Sequence, residues 1–251
     1  MAVVAQSADV VTSARGPMLT DEAWLAARIA ELNASWRTDS LRVGATLWWC
    51  MTASALVEQV VRAVVRGTPI PPPTLDRLDL SLRPDGSVEK VRILDADADA
   101  DAGDYPGAGK VRADDPRSGT RETAASNRAR DAVPPESRDI PEALRATLAT
   151  VIGRITAVSG VREPALWAVV TDVIASWAVD AGVPQAGQRL AAEIGDRVPA
   201  PRFVEVSGRT FVRRASCCLV YEAPGCEKCV SCPKRAPAER AALLAGYARR
   251  A

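Results

Sequence analysis

Ser216-Cys217-Cys218-Leu219-Val220-Tyr221-Glu222-Ala223-Pro224-Gly225-Cys226-Glu227-Lys228-Cys229-Val230-Ser231-Cys232-Pro233 holds five of the six cysteines of a 251-residue chain that has no histidine. The spacing is an adjacent pair, ten intervening residues, then Cys-x-x-Cys. A disulfide across a single peptide bond is strained. The side chains of Cys217 and Cys218 diverge instead, which suits two ligands approaching one centre from a kinked strand end. Cys-x-x-Cys does the opposite: its sulfurs converge in a tight turn, the common two-ligand unit of zinc and iron–sulfur sites. Pro224-Gly225 midway along the connection and Pro233 after the last cysteine fold the second pair back toward the first.

Four thiolates from two such units are the ligand set of a [2Fe-2S] cluster, and equally of a four-cysteine zinc knot that ties down the C-terminus. Zinc knots seldom use an adjacent Cys-Cys pair, so iron–sulfur is the favoured reading. Cys226 adds a second Cys-x-x-Cys step and imitates the start of a [4Fe-4S] motif. The next cysteine of that motif is missing after Cys232, and recruiting Cys217 or Cys218 would idle its neighbour. Cys226 therefore reads as an auxiliary thiol. Cys50, beside Trp48 and Trp49 in the most apolar stretch, reads as a small core hydrophobe.

The residues around the cysteines are basic. From Arg202 to Ala251 there are ten Arg and Lys against four Glu, in a chain whose overall net charge is +1. Arg209, Arg213, Arg214, Lys228, Lys234 and Arg235 lie close to the cysteines in sequence. Singly each suits a solvated edge; together they suit docking of an anionic partner. A near-neutral chain argues against nucleic acid as partner. The apolar run Val43 to Val57 is too short for a membrane span, and Met1–Asp9 lacks a basic n-region. The expected location is the cytoplasm, with peripheral attachment to the inner face of the membrane left open. There thiols stay reduced, and clustered cysteines bind metal before they pair.

Upstream, 47% apolar and 25% charged residues describe an ordinary globular chain. Residues 1 to 17 read as a loose leader. Trp24, Leu25, Ile29, Leu32 and Trp36 recur at helical spacing behind a start at Thr20-Asp21. A deeply buried helix follows from Asp39 or Ser40 to about Arg66, closed by Gly67. Leu78, Leu80 and Leu82 alternate with polar residues, and Val88 to Leu94 return as the second strand of a hairpin. Residues 95–139, rich in Asp, Gly, Arg and Pro, read as a disordered or weakly ordered linker. Helices are expected over 141–158, with Pro141 at the first position, over 163–181 and over 184–198. A second hairpin spans 203–213, and a short helix 237–249. The chain is thus α+β and predominantly helical, with an N-terminal region 1–94, the linker, and a C-terminal region 140–251. Trp48, Trp49, Trp167 and Trp177 read as core.

The segment resembles the C-terminal signature of ferric-siderophore reductases of the FhuF type. The resemblance rests on Cys217-Cys218, Cys229 and Cys232, on Arg213-Arg214 before the pair, on Leu219 and Tyr221 after it, and on Pro224-Gly225, and it covers about residues 209 to 235. It implies a [2Fe-2S] cluster on Cys217, Cys218, Cys229 and Cys232 that reduces a cytoplasmic ferric siderophore and releases Fe(II). No GxGxxG fingerprint opens a helix after a strand. The electron donor is accordingly expected to be a separate protein, a ferredoxin or a reductase. The competing functions are a ferredoxin-like relay without its own substrate and a non-redox protein with a structural zinc site.

Overall fold

Leu41–Arg66 is the axis of the fold. The helix starts where the Ser40 hydroxyl accepts a hydrogen bond from the Val43 amide at 3.3 Å, and it stops at Gly67, whose left-handed conformation (φ 65°) no β-branched residue adopts cheaply. Apolar residues cover most of its circumference. Trp48, Trp49, Val57, Val60 and Val61 are all buried, which requires packing on several sides.

The computed structural model describes residues 12–95 and 135–250, with only the backbone of 135–138. The helices are α1 (Glu22–Ser35), α2 (Leu41–Arg66), α3 (Pro135–Ser159), α4 (Glu163–Asp180), α5 (Pro184–Ile194) and α6 (Pro237–Ala248). The strands are β1 (Thr12–Arg15), β2 (Leu78–Leu82), β3 (Val88–Ile93), β4 (Phe203–Val206) and β5 (Arg209–Val212). They form two antiparallel sheets, β1-β2-β3 and β4-β5. This is an α+β chain, mainly helical, as its periodicities predict.

Helix α2 packs chiefly against α4 on one side and β3 on another. Indole N–H groups pin the α2–α4 contact from both partners: Trp49 donates to the Leu166 carbonyl at 3.0 Å and Trp177 to that of Ser54 at 3.1 Å. Trp48 donates to the Gly86 carbonyl and holds the β2–β3 turn. These tryptophans and Trp167 pack in or against one continuous core, drawn from residues on both sides of the linker.

Two expectations need correction. Residues 12–17 are not a loose leader: β1 pairs antiparallel with β2, Thr12 opposite Leu82 and Arg15 opposite Asp79, and Gly16 is buried; residues 1–11 lie outside the described residues. The strand Thr-Ser-Ala-Arg has no apolar alternation, because it uses the free backbone groups of a sheet edge, which composition does not reveal. Gly16 fits where a Cβ would lie 2.1 Å from the Leu75 carbonyl oxygen. The second correction concerns the helix start. α3 begins at Pro135, so residues 135–139 leave the linker and Pro141 lies inside the helix. The buried face explains this: Ile140 joins Leu144, Leu148, Ile152 and Ile155, and that stripe starts one residue before Pro141. The remainder of the linker, 96–134, including most of its Asp-Ala repeat, lies outside the described residues.

The second sheet positions the cysteines. Ser207 and Gly208 turn it with φ of 51° and 75°, the signature of a tight hairpin turn. Phe211 on β5 meets Tyr247 on α6 edge to face, centroids 6.1 Å apart. The cysteine segment, which joins β5 to α6, is thereby tethered at both ends.

Candidate metal centre

Asp172 controls the entry to the segment. It projects from α4 with 3% exposure. Its Oδ1 accepts from the Ala215 amide at 2.7 Å, and its Oδ2 from the Ser216 amide at 2.8 Å and the Ser216 hydroxyl at 2.6 Å. The two residues ahead of Cys217 are therefore held by a buried carboxylate. Arg214 completes the arrangement, its Nε 3.5 Å from Asp172 Oδ2 and its Nη1 3.9 Å from Cys229 Sγ. Burial works against the Arg214 charge, but Asp172 first and then Cys50 and Cys229 outweigh it and hold its pKa above the ordinary value. Sequence reasoning missed Asp172. The available signal was a lone acid among Val169, Val170 and Ile174.

Past the pair, Leu219 takes a left-handed conformation (φ 63°) and reverses the chain into a 3-10 turn over Val220–Glu222. Pro224 and Gly225 (φ 74°) form the next reversal, closed by the Cys226 amide donating to the Ala223 carbonyl at 3.2 Å. Proline followed by a positive-φ glycine is what a type II turn demands. The Cys229–Cys232 turn is closed by the Cys232 amide donating to the Cys229 carbonyl at 3.1 Å. Arg235 braces that turn: its Nε donates to the Cys229 carbonyl at 2.9 Å, its Nη2 donates to the Lys228 carbonyl, and Glu239 pairs with the same guanidinium. Arg240 donates to the Cys232 carbonyl at 3.5 Å.

The sulfurs converge across the two sequence units. Cys217 Sγ lies 3.6 Å from Cys232 Sγ. Metal–thiolate bonds of about 2.3 Å in tetrahedral geometry separate ligand sulfurs by roughly 3.8 Å, so this pair is spaced to share one metal. Cys232 is buried, Cys217 and Cys218 are half-buried, and Cys229 is exposed. Among the described residues no three Cys, Asp or Glu side chains converge on one point as a single ion requires. A binuclear cluster needs two thiolate pairs, one on each iron, and Cys217 with Cys232 supplies one pair at that spacing. Burial pushes the Cys217 thiol up to about 11, Cys232 and Cys218 adding to it against a backbone hydrogen bond from Leu219. Bound metal reverses such shifts.

Comparison with known families identifies the segment. The model of the FhuF 2Fe-2S C-terminal domain matches residues 214–234. This segment is similar to the FhuF-type [2Fe-2S] domain. A search of the curated proteins finds no match to the chain.

Around the cysteine segment the basic residues divide into two groups. Arg214 and Arg235 are committed to the segment's own structure, and Lys228 lies over the Tyr221 ring at 5.5 Å and donates to the Lys234 carbonyl. Arg209, Arg213 and Lys234 are exposed. Among the described residues the Cys226 sulfur makes no hydrogen bond, and its residue serves the Pro-Gly turn. Cys50 is closer to the centre than a core hydrophobe needs to be. It packs against the core beside Cys218, and burial, with Cys218 next, pushes its thiol up to about 12.

A cavity of about 490 Å³ opens beside Cys217. Its walls come from the start of α2 (Arg42, Thr46), the α3–α4 loop (Val161, Arg162) and the segment itself (Leu219, Lys234). Cys217 lines it and the other three candidate ligands do not. Arg42 is paired with Glu222 at its rim.

Proposed function

We propose that the chain is a ferric-siderophore reductase whose cluster is held by Cys217, Cys218, Cys229 and Cys232. The observation that carries this reading is the FhuF-type [2Fe-2S] segment at residues 214–234, mounted on a helical body far larger than a relay requires. Bound there, the cluster supplies a one-electron store that, once charged by an external donor protein, reduces ferric to ferrous iron in the chelate. A siderophore prefers the ferric ion, so reduction loosens the metal for cellular acceptors.

The chain's own residues prepare this chemistry. Arg214 places a cation beside the Cys229 sulfur, where it would offset the negative charge of a cluster held by the four thiolates. Asp172 keeps Arg214 in place and fixes the backbone ahead of Cys217. Buried Cys232 restricts water, while exposed Cys229 offers a short route to a donor protein, with Arg209 and Arg213 as cationic docking groups for an acidic partner. The reading places the protein in the cytoplasm, where its thiols stay reduced. Among the described residues no helix is long and apolar enough to cross a membrane.

The test is anaerobic. Dithionite-reduced protein should show the EPR signal of a thiolate-ligated binuclear centre. Adding a ferric siderophore should return the oxidised visible spectrum and deliver one Fe(II) to a ferrous trap for each protein. Cys229→Ser should lose both the absorption and the Fe(II) yield. Reduced protein that ignores every ferric siderophore but discharges to another redox protein would make it a relay.

A further inference from the structure

The cavity beside Cys217 has the size, placement and charge of a substrate seat. Its volume of about 490 Å³ lies inside the range of small-molecule sites, about 300–1,000 Å³. Cys217, one of the four proposed ligands, forms part of its wall. Small and apolar groups, Val161, Ala165, Ala168 and Leu219, form part of its lining, and the flat faces of a chelator can lie against such a surface. The charged lining is all of one sign: Arg42, Arg162 and Lys234. Glu222 pairs with Arg42, but among the described residues Arg162 and Lys234 pair with no carboxylate. Two unspent cations at the mouth of a cavity beside a negatively charged cluster have a clear physical use. They offset the repulsion that an anion would meet on approach, and they attract it from solution.

We infer that this cavity is the binding site for the ferric chelate, and that it selects chelates of net negative charge, such as tris-catecholates, over neutral tris-hydroxamates. The inference rests on the reductase reading and adds to it the place and the charge class of the substrate. Arg162 and Lys234 are the selecting residues, and Ala168 lies where a larger side chain would occupy the space.

Gallium(III) chelates separate binding from electron transfer, because they match the ferric complexes in size and charge but are not reduced. Calorimetric titration of the cluster-loaded protein should find the trianionic gallium tris-catecholate bound more tightly than the neutral gallium tris-hydroxamate. The double variant Arg162→Glu/Lys234→Glu should weaken the trianion about tenfold, as expected for two exposed charge reversals, and change the neutral chelate less than about twofold. Ala168→Trp should weaken both. Unchanged visible and far-UV spectra establish that the variants are intact; if the Trp variant misfolds, the charge-reversal pair alone decides. The inference is overturned if the trianion binds the double variant like the parent, if the neutral chelate binds the parent more tightly, or if neither binds the parent. Stopped-flow oxidation distinguishes the two levels. Ferric chelates that oxidise parent and variants at equal rates leave the reductase reading standing and remove this seat. Ferric chelates that oxidise none of them remove the reductase reading itself.

Discussion

Replacing Asp172 with Asn changes almost no volume and removes one charge, which isolates what the carboxylate does. In the native site Oδ1 accepts from the Ala215 amide, and Oδ2 accepts from the Ser216 amide and hydroxyl and from Arg214. An asparagine has one acceptor oxygen, so in either orientation its NH2 faces a backbone N–H. The Ser216 hydroxyl can rotate to accept and survive the change. Each hydrogen bond to a charged group is worth about 1.5–3 kcal/mol, and breaking a buried ion pair by removing one partner costs about 3–5 kcal/mol. The Arg214 side chain keeps 22% of its surface exposed and that of Asp172 only 4%, so water recovers part of the loss. The expected cost is about 3 kcal/mol. For a chain of this size that corresponds to a melting temperature lower by roughly 6–12 °C, read by far-UV circular dichroism on cluster-free protein. Where the cysteine segment opens before the body melts, the same loss appears as faster amide exchange at Ala215 and Ser216 and a shorter lifetime of the cluster's visible band. Asp180→Asn, near the end of the same helix and without these bonds, is the control and should stay within about 0.5 kcal/mol. If Asp172→Asn matches Asp180→Asn in melting, exchange and cluster lifetime, the anchoring role is refuted.

Arg214→Gln removes the cation beside Cys229 while leaving Asp172 in place, so the midpoint potential should fall by up to about 60 mV, the one-electron equivalent of a tenfold change; a redox titration that finds no fall rejects the contact. Cys226→Ser should keep the visible spectrum of the cluster, and bleaching would make Cys226 a ligand. In the cluster-free protein the thiolate form of Cys217 is scarce below its pKa of about 11. Its alkylation, followed by peptide mapping, should therefore rise about tenfold per pH unit past about pH 9, and a plateau near about pH 8.5, the range of a free thiol, would contradict the burial of that sulfur. Gly16→Ala should cost about 1–3 kcal/mol by driving a methyl into the Leu75 carbonyl, lowering the melting temperature by several degrees, whereas a truly loose leader would not respond.

The elements with a strong period were legible residue by residue. Helix α2 announced itself through its apolar circumference, its Ser40 cap and Gly67, and the β2–β3 hairpin through alternating leucines around a Pro-Asp-Gly turn. These signals are local, because backbone geometry repeats every 3.6 or 2 residues and caps act within one turn. The cysteine spacing likewise named its chemistry, since thiolates are soft anionic ligands and the chain offers no histidine as an alternative.

What no local pattern could supply is partnership. Strand β1 exists because β2 offers unpaired amides and carbonyls, and the start of α3 is set by the burial of Ile140. Asp172 lies more than forty residues before the cysteines it serves, and Cys217 pairs with Cys232 across two motif units rather than within one. The cavity gathers Arg42, Arg162 and Lys234 from three separate stretches of chain. Sequence alone thus determined the ligand chemistry and most of the helices. Tertiary packing alone decided which sulfurs approach one another, which cations brace the loop, and which face the cavity, because those distances depend on contacts between residues far apart in the chain.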